Sequence, residues 1–156
     1  MSPTPPDRST FLTVGDIIDR TRRYAQRAQD LLIQEMREHD PDERTGLFLD
    51  ELEQRRSEVE AALDRSTRAA DEAVLRTRAQ YTVDPWEGDP SPPRAPSVEE
   101  ATRWILELDE QLLETYRELA QRHESPPVRE FFGSLVELMR SFDRQLARAS
   151  EQAYDV

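Results

Sequence analysis

The chain has no cysteine, which excludes disulfides, iron–sulfur clusters, thiolate zinc sites and cysteine nucleophiles. It also has no lysine and no asparagine, so all 21 basic residues are arginine. GC-rich codon usage accounts for both absences, with adaptation to a salty medium as the alternative; neither bears on chemistry. Glycine is scarce. Gly15, Gly46, Gly88 and Gly133 are scattered, and a phosphate-cradling loop needs them clustered. Positive charge is the minority sign: 33 acidic against 21 basic residues give a net charge of −12, a field that repels nucleic acid and anionic lipid. The opening MSPTPPDRST lacks an apolar run, so neither a signal peptide nor a membrane anchor is expected there and the expected location is the cytoplasm.

What is present is helical periodicity. From Arg129 to Leu146 the apolar residues Phe132, Leu135, Met139, Phe142 and Leu146 recur every three or four positions, one stripe facing a core. The same skeleton occurs earlier as Leu49, Leu52, Arg56, Val59 and Leu63, with Arg in place of Met. Each copy follows a segment with a Tyr and, four residues on, an Ala: Tyr24 and Ala28, then Tyr116 and Ala120. Thr13 with Asp16 and Ser97 with Glu100 form capping boxes, and Asp40-Pro41-Asp42-Glu43 reads as cap, first-turn proline and acidic first turn. The chain therefore predicts a disordered tail over 1–12 and one domain over 13–156, with helices at about 14–38, 41–80, 98–123 and 126–153. Residues 82–97 hold Pro85, Pro90, Pro92, Pro93 and Pro96 and cannot be helical. At about 3.1 Å per residue such a stretch spans roughly 45 Å, enough to travel the length of a helix. The expected fold is all-α: a four-helix bundle of two antiparallel hairpins joined by a long Pro-rich crossover, with Trp86 anchoring the crossover.

These features resemble the ferritin-like superfamily of ferritins, bacterioferritins and rubrerythrins. The resemblance covers most of the chain, from about Val14 to Leu146, and rests on the Tyr-x-x-x-Ala segment followed by the apolar stripe, twice, around the crossover. In metal-binding members the first and third helices each give a Glu one heptad before such a Tyr, and the second and fourth each give Glu-x-x-His. Here those positions hold Ile17 and Asp109, Arg56 and Val59, and Met139 and Phe142. An arginine at that level adds positive charge where cations would sit. Glu53-x-x-Arg56 and Glu137-x-x-Arg140 form a competing register that falls beside the stripe. His39 and His123 stand in the last turns of their helices, where the helix dipole favours imidazolium.

The expectation is a degenerate member with no metal, no cofactor and no catalytic residues, acting through protein–protein surfaces. An ion pair between Arg56 and Asp109 is expected in place of the metal. A homodimer is possible through the small residues of the second helix together with Tyr81 and Trp86. The alternative is a di-iron or di-manganese oxidase, or an iron-handling protein, with an atypical carboxylate site built from Asp109, Glu53, Glu60 and Glu137.

Overall fold

Each long helix begins where the sequence offers an acceptor for its unpaired N–H groups. Thr13 Oγ1 accepts from Asp16 N at 3.1 Å while Asp16 Oδ2 accepts from Thr13 N at 3.0 Å, opening α1, Val14–Glu38. Asp42 Oδ1 accepts from Thr45 N at 2.7 Å and opens α2, Glu43–Ala69. A four-residue turn of helix, α3, Glu72–Leu75, follows. Ser97 and Glu100 repeat the reciprocal cap at the start of α4, Val98–Arg122, and α5, Pro126–Tyr154, follows within a few residues. In the computed structural model, residues 12–39, 42–81, 86 and 88–154 are described. Among them the chain is all-α with no strand, and no helix is long and apolar enough to cross a membrane.

Two boundaries differ from the sequence expectation. The second helix was expected to run from Pro41 to Gln80, but it ends at Ala69. No glycine or proline marks this point. Ala70 leaves helical geometry at ψ 143°, and Asp71 starts a fresh cap, its side chain accepting from Ala73 N at 3.1 Å. The bend turns the chain onto the beginning of α1. Val14 N donates to Thr77 O at 2.9 Å, Ala79 N donates to Leu12 O at 3.0 Å, and Thr13 and Arg78 form an isolated antiparallel bridge. Gly15 makes room there, since a Cβ at that position would lie 3.3 Å from Leu75 O. Leu12, assigned to the tail from sequence, is buried by this contact. The rest of the expected tail, 1–11, lies outside the described residues, as do Asp40 and Pro41; the described cap of α2 is Asp42.

The described residues of the connection, Tyr81, Trp86 and 88–95, make several contacts with α1. Arg20 Nη1 donates to Tyr81 Oη at 3.4 Å, the Trp86 ring meets Tyr24 edge-on at 5.2 Å, Arg27 pairs with Asp89 at 2.9 Å, and Ala95 N donates to Glu35 Oε1 at 3.0 Å. Ala95 holds a left-handed φ of 46° at that last contact. Trp86 is an anchor, as its type suggested, but it sits in the core beside Tyr24.

The interior divides into two apolar clusters. One contains Ile17, Ala28, Leu63, Leu112, Tyr116, Phe132 and Met139; the other contains Leu32, Leu52, Ile105 and Leu146. On α1, α2, α4 and α5 alike, one polar residue stands at the boundary: Gln29, Arg55, Asp109 and Asp143.

Candidate functional site

The polar layer is centred on Arg55. Leu52 precedes it by three residues and Val59 follows by four, so it lies on the inward stripe of α2. Its Nη2 donates to Asp109 Oδ2 of α4 at 2.6 Å and to Asp143 Oδ1 of α5 at 3.1 Å. The Arg55 and Asp109 side chains are 8% and 4% exposed, which makes this a buried ion pair. Such a pair persists only when nearly every polar atom finds a partner, because the desolvation cost rivals the Coulomb gain.

Two carboxyl groups around one guanidinium leave an unbalanced negative charge if both ionise. Burial pushes the Asp143 carboxyl up to about 9, and its hydrogen bond to Asp109 and the charge of Asp109 add to the rise, while Arg55 and its positive charge oppose it. Asp143 therefore keeps its proton at neutral pH, and the layer is close to neutral. Next to it, the Tyr116 hydroxyl and Thr21 Oγ1 lie 2.7 Å apart, and Thr21 Oγ1 also reaches Ile17 O at 2.9 Å. Thr21 donates to the carbonyl and accepts from the tyrosine. Burial pushes the Tyr116 phenol up to about 12, so it remains a donor.

Gln29, Arg55, Asp109, Tyr116 and Met139 border a cavity of about 30 Å³. Arg55 Nε and Gln29 Oε1 are buried and make no hydrogen bond to protein. A cavity of this size admits a water, which needs about 10–15 Å³, and one water can accept from Nε–H and donate to the amide oxygen. It does not admit a substrate. An acid with a raised pKa beside a cation is a chemistry-capable combination, but here it faces packed side chains.

The residues expected at ligand level are distributed differently. Ile17 is fully buried, Met139 and Phe142 are buried, and Val59 is half-buried against the apolar cluster. Asp109 is in the layer as expected, but its partner is Arg55. Arg56 turns to the other side of α2 and pairs with Asp30 of α1. Both arginines satisfy three-or-four spacing from Leu52 and Val59; Arg56 was singled out because it aligns with Met139 in the second stripe. α2 touches both α1 and α5, and the residue one step earlier is the one that faces α4 and α5.

The carboxylates of the alternative metal reading do not assemble. Glu53 pairs with Arg37, Glu60 accepts from Arg22 Nε at 2.7 Å, and Glu137 is exposed. Among the described residues, no three His, Asp or Glu are grouped as a metal would require. The donor set around Asp109 does not fit a metal: the Arg55 guanidinium 2.6 Å away cannot give up its proton to become a ligand. His39 Nδ1 lies 2.8 Å from Glu35 O. His123 Nδ1 accepts from Ser125 N at 3.0 Å, leaving Nε2–H to donate to Arg78 O at 2.8 Å. Both histidines stand at helix C-termini.

No family model, curated protein or solved structure matches the chain. The residues sequence reasoning missed are Arg55, Asp143 and Gln29. Their signal was available: Gln29 stands three before Leu32, and Asp143 stands four after Met139 and three before Leu146. Tyr81 and Trp86, offered as a dimer face, are 5% exposed each and belong to the core.

Proposed function

We propose that the chain is a degenerate ferritin-like four-helix bundle, non-catalytic, working in the cytoplasm through its protein-binding surfaces. The hairpin arrangement is supported by the order of side-chain pairs. Between α1 and α2 the partner numbers run in opposite directions: Arg22 with Glu60 and Asp64, Asp30 with Arg56, Arg37 with Glu53. Between α2 and α4 they rise together, Arg44 with Glu99 and Arg55 with Asp109, as parallel helices require. A parallel second and third long helix needs a connection as long as the bundle, and the contacts climbing α1 from Tyr81 to Ala95 fit a Pro-rich crossover.

The observation that carries the functional reading is the Arg55 guanidinium between Asp109 and Asp143. It supplies fixed positive charge at the level where the family holds metal, and the carboxyl groups nearest that level are already engaged by it. Met139, Phe142 and Ile17 close the remaining space with apolar atoms. The full chain, expressed with iron or manganese in excess and purified, is expected to carry far less than one metal per chain by elemental analysis. One or two equivalents retained through purification would replace this reading with the metal-dependent one.

A further inference from the structure

Beside the start of α2 the bundle leaves an apolar groove open. Leu47 is 63% exposed, the one large apolar side chain among the described residues that faces water to this degree. It borders a groove of about 750 Å³ between the start of α2 and the last turns of α5, floored by Phe48, Leu146 and Ala149. The groove continues along the same two helices past Gln54 to Glu58. From Asp42 to Glu58 is a run of 17 residues, or roughly 24 Å at about 1.5 Å per residue. One helix of similar length would fill it.

The rim is acidic on the α2 side. Asp42, Glu43, Asp50 and Glu51 line the groove, and its one arginine there, Arg44, is bonded to Glu99 at 2.6 Å. The hydrogen bond from Thr45 N holds the Asp42 carboxyl below its ordinary range, so it stays anionic. A second copy of this chain would bring its own acidic rim and a net charge of −12 to the same place, which works against self-association.

We propose that the groove between the start of α2 and the end of α5 receives an amphipathic helix of a partner protein, its apolar face on Leu47, Phe48 and Leu146 and its flanking arginines or lysines on the α2 carboxylates. The inference rests on the surface-acting reading above and names the surface. An apolar floor with one charged rim is the arrangement that recognises an apolar stripe bordered by opposite charge.

The test is fluorescence anisotropy with the full chain and a labelled model peptide of about 15 residues, Leu on one helical face and Lys on the other. Two control peptides are used: the same composition scrambled to destroy the apolar face, and a Leu/Glu version. The amphipathic basic peptide is expected to bind at least about tenfold more tightly than the scrambled one, and the Leu/Glu peptide not at all. Leu47→Ser, which leaves the charge unchanged, is expected to weaken binding about fivefold or more. Asp50→Asn with Glu51→Gln is expected to weaken it and to reduce its salt dependence. Both sites are exposed, and unchanged circular dichroism and thermal midpoints confirm that the variants fold.

Equal binding of the scrambled peptide, or no effect of Leu47→Ser, would overturn the proposal. So would a dimer of the full chain by light scattering that Leu47→Ser converts to monomer, since the occupant would then be a second copy. These failures leave the non-catalytic reading standing, because metal content decides that separately.

Discussion

Arg55 is the residue on which the core's charge balance turns. Removing its guanidinium leaves Asp109 and Asp143 facing each other without a counter-charge, inside a layer closed above and below by apolar clusters. Arg55→Met is therefore expected to cost about 3–5 kcal/mol in urea denaturation, whereas Arg56→Met, at a partly exposed pair with Asp30, is expected to cost no more than about 1 kcal/mol. Equal costs would mean the two arginines share the role. Asp143 adds a pH signature. Its carboxyl titrates at about 9 in the folded chain against an ordinary 3.8, so the stability it contributes is complete below the lower value and is lost as pH rises toward the upper one. Asp143→Asn keeps a neutral side chain at every pH. The stability of the parent chain relative to this variant is expected to fall steadily between about pH 5 and pH 9, and parallel denaturation curves at both pH values would contradict the assignment. Asp109 was legible in the sequence because it stands one heptad before Tyr116, the position that the resemblance marks for a carboxylate. Arg55 and Asp143 carry the inward spacing but are not singled out by it, because two adjacent residues both satisfy a spacing of three or four, and only the placement of the neighbouring helices decides which turns inward.

At the scale of elements, local chemistry decided the starts and tertiary contact decided one end. The caps of α1 and α4 were readable because Thr13 with Asp16 and Ser97 with Glu100 bond each other wherever the helix lies. The end of α2 was not, since Ala69-Ala70-Asp71 has no breaker; what bends the chain is the pairing of residues 77–79 with 12–14. Among the described residues of the connection after that bend, Trp86 is buried against Tyr24 of α1. Trp86→Ala is expected to cost about 3–5 kcal/mol, and limited proteolysis is expected to cut first between Tyr81 and Ala95. A small loss with the first cut elsewhere would mean that the connection is held by other contacts.

For the whole molecule, the all-α class was legible from two repeated stripes, but the function was not, because a stripe says what is buried and not what the burial replaces. The full sequence carries a net charge of −12, and among the described residues an apolar groove opens beside Leu47 while the interior holds the polar layer around Arg55. On the proposed reading, Arg55, Asp109 and Asp143 engage one another and leave no demand for a metal. A ligand that binds only the folded state at a hundred times its dissociation constant stabilises by about 2.7 kcal/mol, so a real site announces itself in denaturation. The most direct measurement is the urea midpoint of the metal-free chain with and without excess Fe(II) or Mn(II), under anaerobic conditions. Coincident curves are expected; a midpoint that rises with metal concentration, and does so less in Asp109→Asn, would overturn the non-metal reading.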